Sequence, residues 1–176
     1  SEAVLASENL VFSQHFNNME SINATLHPFI RNTVGSMEYG GCFMNRFMNK
    51  GNEKGIYRTT SDIFQLATTI LYQNAVQNFA LAPNNLTDAP ELCLEYLKTV
   101  PTEWDETRLI AGMPGKYVVL ARRHNNDWYI AGVNATSEPL NLNLNVGMLA
   151  DKNVSLYSDS FTKEANNRIK KAAKNT

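Results

Sequence analysis

The chain has 176 residues, 43% hydrophobic and 19% charged, with a formal net charge of -1. That balance suits ordinary globular packing and gives no electrostatic case for nucleic acid or an anionic membrane as a partner. No stretch is apolar and long enough to span a bilayer as a helix, and the length falls short of a complete (β/α)8 barrel, about 250 residues.

The first forty residues read as strand and loop. Residues 3–6 and 29–34 are short apolar runs, the second introduced by Pro28 and closed by Gly35. Runs of this kind suit strands buried on both faces, as in parallel sheets, although periodicity alone leaves helix open. Between them, residues 13–24 are rich in Asn and Ser and predict a loop. A helix is predicted next, capped by Thr60 or Ser61, with Asp62 at the positive end of its dipole. Ile63, Leu66, Ala67, Ile70 and Leu71 form its apolar stripe at helical spacing. A second helix opens around Pro90 and Glu91, presents Leu92, Cys93, Tyr96, Leu97 and Val100, and stops at Pro101.

From Trp104 onward the period changes to two. Strands are predicted at 108–111, 117–123, 128–133 and 140–146, with another starting at 154. In the 140–146 segment Leu140, Leu142, Leu144 and Val146 alternate with Asn141, Asn143 and Asn145. Short strands after a helical region predict an antiparallel sandwich. The expected division is 1–103, a βα region, and 104–176, a sandwich. The basic run from Arg168 to Lys174 reads as a solvated tail.

Cys42 and Cys93 are the only cysteines and sit among apolar neighbours, which favours buried free thiols over a disulfide. Without a CxxC or a nearby histidine they make no metal site. The sequons at Asn23, Asn85, Asn134 and Asn153 matter only in a eukaryotic secretory setting.

Glu2 and Glu8 bracket the first apolar run. Were that run a barrel strand, they would flank its carboxyl end, where barrel sites are built. Spacing alone leaves three readings open: solvated surface acids, an acid pair for glycoside hydrolysis, or oxygen donors for Ca²⁺.

Several ordered blocks carry a resemblance. His27-Pro28-Phe29-Ile30-Arg31, followed by Gly35-Ser36-Met37-Glu38-Tyr39, is similar to a Pro-Phe-Thr-Arg then Gly-Pro-Met-Asp-Tyr pattern. Tyr57-Arg58-Thr59-Thr60 leads into a helix bearing Gln65-Leu66-Ala67, and Pro101-Thr102-Glu103-Trp104-Asp105-Glu106-Thr107 matches a Pro-Thr-x-Trp-Asp-Glu-Thr signature. Together with residues 115–123 and 128–132, these blocks resemble glycoside hydrolase family 97, over residues 1 to about 159. The resemblance implies the closing segment of a catalytic (β/α)8 barrel followed by an antiparallel β-sandwich. It implies an exo-acting α-glucosidase requiring Ca²⁺, an oligosaccharide substrate, and a periplasmic or secreted bacterial setting. An α-galactosidase of the same family and a non-catalytic carbohydrate-associated sandwich are the alternatives.

In that family a Glu-Ala-x-x-Gly-x-Glu stretch precedes the first block. Glu2-Ala3-Val4-Leu5-Ala6-Ser7-Glu8 is similar to it, with Ala6 at the glycine position. The resemblance therefore implies Glu2 and Glu8 as calcium ligands and Glu8 as the general acid. Arg31 and Glu38 flank the next block, and a sugar-binding role or a structural ion pair of Arg31 with a carboxylate are both open. His15 and His27 read as surface or packing residues, and Trp104-Asp105-Glu106 as packing and capping at the junction. The opening at Ser1 and the short run after Asp159 suggest a fragment, inactive by itself, with an unfinished sandwich whose exposed sheet edges promote self-association.

Overall fold

The computed structural model describes residues 4–5, 7–159 and 170–174. A parallel sheet opens the chain: β1 (Val4–Leu5), β2 (Glu38–Gly41) and β3 (Gln77–Phe79), in spatial order β1-β2-β3. Val4 pairs with Glu38 and Tyr39 with Gln77, so all three strands run the same way. Parallel neighbours need crossover connections, and helices supply them. Helices α1 (Ser7–Phe12), α2 (Gln14–Asn18) and α3 (Glu20–Leu26) lie between β1 and β2, and α4 (Asp62–Leu71) lies between β2 and β3. Then follow α5 (Asn85–Asp88) and α6 (Glu91–Thr99).

An antiparallel meander comes next: β4 (Glu106–Met113), β5 (Tyr117–His124) and β6 (Asp127–Asn134), in that spatial order. A bulge between Leu109 and Ala111 interrupts the β4–β5 register. β7 (Val154–Ser158) pairs with β8 (Lys170–Lys174) as a separate ribbon.

One helix joins these layers. Ser61 Oγ accepts the backbone N–H of Phe64 at 3.0 Å, so of the two caps the sequence offers, Thr60 and Ser61, it is Ser61 that caps α4. Ala67, Ile70 and Leu71 pack with Tyr72 against Val118, Leu120, Ala131 and Val133 of the meander. Leu66 meets Cys42, Met44, Cys93 and Leu97 on the other side, with Ile63 and Phe79 at its edge. α4 is therefore buried nearly all round, although its sequence reads as a single stripe. The layer facing the meander consists of α3 and α4, where the sequence predicts a second sheet. Both faces of β5 are covered, and Val118, Val119, Leu120, Ala121 and Arg122 are all buried.

The turn after α3 reaches the meander too. Phe29 Cζ lies 2.6 Å from where a Cβ would stand on Gly112, so β4 accepts that ring only because residue 112 has no side chain.

Three predicted elements differ. Residues 13–24 are helical rather than looped, because Asn17 and Glu20 are buried and paired across the fold. Residues 29–34 form turns, with Ile30 and Val34 exposed, and the strand comes later at β2. There the Phe29 and Ile30 N–H groups close on Leu26 O and continue the helical winding of α3. Residues 140–146 join no strand, and Leu140, Leu142 and Leu144 remain 40%, 40% and 37% exposed. Their alternation needs a partner strand, and the described residues provide none. β3, polar at Gln77 and Asn78, gave no sequence signal.

Leu71 has no exposed surface and touches both the helical layer and β5. Leu71→Ala should lower stability by about 2–5 kcal/mol, since the cavity lies where two elements are already fixed and cannot collapse. Urea unfolding followed by far-ultraviolet circular dichroism measures this, and a loss under about 1 kcal/mol would contradict α4 as the shared core.

Candidate active site

The carboxyl ends of β1, β2 and β3 lie along one edge of the parallel sheet, the edge at which βα folds build their sites. The backbone places Glu8 there, at the second position of α1 and three residues beyond Leu5. Glu2, the other sequence-derived ligand, lies outside the described residues. Glu38 is exposed and begins β2 opposite Val4, which puts it at the amino edge. Arg31 donates to Gly35 O at 3.4 Å and to Ser36 O at 3.0 Å, closing the turn that enters β2. Its partners are carbonyls, which replaces the expected ion pair. Arg31 and Glu38 therefore belong to the entrance of β2, and the fold does not bring them to the edge that carries Glu8.

Other side chains organise that edge. Gln14 on α2 receives the Tyr57 N–H on Oε1 at 3.1 Å and donates from Nε2 to Tyr57 O at 2.9 Å. This clasp ties the connection bearing Glu8 to the loop that follows β2. Asn17 continues the seam by accepting the Thr59 N–H at 3.1 Å. Beyond β2 and β3, Asn45 Oδ1 accepts from Asn84 Nδ2 at 2.8 Å and Asn85 Nδ2 at 2.7 Å. Burial raises the pKa of Asp88, but hydrogen bonds from Asn84, Asn85 and Asn52 outweigh it and hold the carboxyl below the usual carboxylate range. Asn85, one of the four sequons, is buried and so closed to modification in this fold.

Beneath the edge runs a buried polar network that sequence reading missed. Gln65 Oε1 accepts the Phe43 N–H at 3.0 Å, while its Nε2 donates to Glu20 Oε1 and Thr60 Oγ1, each at 2.8 Å. Thr60 Oγ1 donates to Glu20 Oε2 at 2.9 Å. Arg58 is fully buried and pairs with Asp62, the first residue of α4. Of these groups only Arg58 and Asp62 stand at i, i+4, a spacing that surface pairs share, whereas Glu20 lies 40 and 45 residues from Thr60 and Gln65.

The remaining sequence-singled residues are structural. His15 is exposed, and His27 packs edge-on against Tyr72 with its pKa lowered by burial and then by Arg31. Trp104 packs edge-on against Tyr129 at 5.3 Å, and Arg108 lies 4.7 Å over Trp128. Asp105 accepts the Asn125 N–H at 2.6 Å, pinning the β5–β6 turn, and Glu106 pairs with Arg108 and Arg123.

Parallel strands linked by helices, followed by an antiparallel meander on the same core, make a βα layer with an appended β layer. Residues 103–176 match the family described as "Glycosyl-hydrolase 97 C-terminal, oligomerisation". A solved structure described as a beta-arabinopyranosidase is 58% identical, with a TM-score of 0.91, over 98% of this chain and 27% of that one. A probable retaining alpha-galactosidase of Streptomyces bingchenggensis is 36% identical over 61% of this chain and 16% of its own length. The retaining alpha-galactosidase of Bacteroides thetaiotaomicron is 30% identical over 75% of this chain and 20% of its own length. The chain belongs to glycoside hydrolase family 97 and corresponds to its carboxy-terminal part. It spans between a sixth and about a quarter of the length of these relatives.

Both cysteines are free and buried, as the sequence predicts. Burial is the main cause that pushes each thiol up to about 12; Glu20 adds to it at Cys42 and Asp62 at Cys93. The unfolded thiols titrate near 9.0, so the unfolded chain loses its protons first as pH rises. Their contribution to stability is complete below pH 9 and declines between pH 9 and 12. A chromogenic thiol reagent at pH 8 should find no reactive cysteine in the folded chain and both after unfolding. Rapid labelling of either thiol in the native state would contradict this packing.

Proposed function

We propose that this chain is the carboxy-terminal part of a glycoside hydrolase in which Glu8 protonates the departing glycosidic oxygen. In this reading β1, β2 and β3 are the closing strands of a (β/α)8 barrel. The observation that carries it is the position of Glu8, three residues past the carboxyl end of a parallel strand, in a chain of family 97. A glycosidase acid must keep its proton near neutral pH, which burial or a neighbouring carboxylate achieves.

The sugar we propose is galacto-configured. The relatives are named for alpha-galactosides and beta-arabinopyranosides. A β-L-arabinopyranoside has the ring stereochemistry of an α-D-galactoside without its hydroxymethyl group. One pocket can therefore hold both, whereas the glucose expected from the sequence differs at C4. The observed packing of Trp104 and Trp128 disfavours a non-catalytic carbohydrate-binding face, since each ring is engaged within the protein.

Calcium belongs to the proposal as well. Glu2 and Glu8 offer hard carboxylate oxygens, the donor type this ion takes, but at most four of the six to eight it needs. Among the described residues no group of three or more His, Cys, Asp or Glu gathers to complete such a shell. The remaining oxygens would come from elsewhere in a longer protein. When bound, the ion would supply fixed positive charge beside the sugar. A glycosidase also needs a second carboxyl group roughly 5–9.5 Å from the first, so the 176-residue chain should not turn over glycosides alone.

The test uses the longer protein carrying this segment, compared with its Glu8→Gln variant. With an alkyl leaving group, which demands protonation, activity should fall by about 10²–10⁴-fold. With a dinitrophenyl leaving group, which departs unaided, the loss should be far smaller. Equal activity of variant and parent on the alkyl glycoside removes Glu8 from the chemistry. Aryl α-galactoside and β-L-arabinopyranoside should be cleaved faster than aryl α-glucoside, and the reverse order would restore the glucose reading.

A further inference from the structure

A pair of exposed rings stands at the edge that carries Glu8. Phe47 and Tyr57 lie in the connection from β2 to α4, beyond the carboxyl end of β2, and pair through an isolated antiparallel bridge. Their rings meet edge-on, with centroids 5.4 Å apart and planes at 66°, and they stay 37% and 47% exposed. Two half-open rings set at that angle make an apolar corner.

Carboxamide side chains hold both backbones in place. Asn52 Oδ1 accepts the N–H groups of Arg46 at 2.7 Å and Phe47 at 2.9 Å. Gln14 clasps both main-chain groups of Tyr57, and the Met48 N–H donates to Ile56 O at 2.8 Å between the two rings' backbones. Rings fixed in this way lose little freedom when a ligand covers them. Gln14 follows Glu8 by six residues, so even an extended chain would part their backbones by at most about 20 Å. The winding of α1 and α2 shortens that distance.

We propose that Phe47 and Tyr57 receive the sugar on the leaving-group side of the scissile bond, so that the substrate is a galactoside of a second sugar. The proposal rests on the reading of Glu8 as the acid and names what lies beyond it. The acid stands at the departing oxygen, and the connection that carries it is the one that holds Tyr57. The reacting sugar needs an enclosed pocket whose polar groups match its hydroxyls. The departing sugar lies toward solvent, where half-exposed rings suit it. A pyranose presents C–H groups on its apolar face, and these meet the negative face of an aromatic ring.

The experiment uses the longer protein carrying this segment and two substrates. Melibiose releases glucose, whereas α-galactosyl fluoride releases a single atom. Tyr57→Leu keeps apolar bulk and removes the ring face. It should lower kcat/KM for melibiose about tenfold, chiefly through KM, and leave the fluoride within about twofold. Phe47→Leu should behave likewise, and Tyr57→Phe should match the parent. Should the leucine variants fail to fold, Tyr57→Trp decides: its wider ring face should lower KM for melibiose alone. Equal losses on both substrates overturn the proposal, because the rings would then pack within the protein or touch the reacting sugar. An unchanged KM for melibiose in the folded leucine variants, or in Tyr57→Trp, overturns it as well. The Glu8→Gln comparison reports on the acid alone: undiminished melibiose cleavage by that variant fails the acid assignment whatever the ring variants do.

Discussion

The fold depends on α4 being buried on one side by the meander and on the other by α6 and the segment that follows β2. Leu66 belongs to the core shared with Cys42, Met44 and the α6 residues, whereas Ala67, Ile70 and Leu71 belong to the core shared with β5 and β6. A fully buried aliphatic side chain contributes roughly 1.5–3 kcal/mol, so a ten-residue helix with apolar contacts on both sides binds the meander strongly to α6 and the segment after β2. The meander therefore cannot separate from the βα layer without exposing α4. Buttressing of one layer by the other follows from this single helix.

Burying α4 all round forces polar groups inside, and the fold answers by pairing them. Gln65 cannot reach water, so its amide is spent on Phe43 N–H, Glu20 and Thr60. The result couples the exit of β2 to α3, two segments with no other reason to hold a fixed distance. Arg58 and Asp62 form a second internal pair at the start of α4. Such buried polar groups add little net stability over an apolar core, but removing one partner strands the other at a cost of several kcal/mol. Their value lies in fixing geometry. Asp159 extends this by accepting Ser61 Oγ–H at 2.6 Å, which fastens the end of β7 to the cap of α4.

The same anchoring divides the surface by use. At the carboxyl edge of the parallel sheet, the Gln14 clasp and the asparagine cluster hold loops in place around the position of Glu8. Elsewhere, Leu140, Leu142 and Leu144 are partly exposed.

The sequence alone determined the elements whose signals are local. Ser61 capping α4, α6 opening at Pro90, and the β4–β6 meander all follow from caps, proline geometry and period-two alternation acting within a few residues. The placement of Glu8 beside an apolar run was legible for the same reason. Tertiary structure decided what depends on partners far along the chain. Residues 13–24 look like a loop until Asn17 finds Thr59 and Glu20 finds Thr60 and Gln65. Arg31 looks like a carboxylate's partner until the turn offers it two carbonyls. Residues 140–146 carry a strand's pattern, yet a strand exists only when another edge supplies its hydrogen bonds, and no pattern within seven residues can specify that.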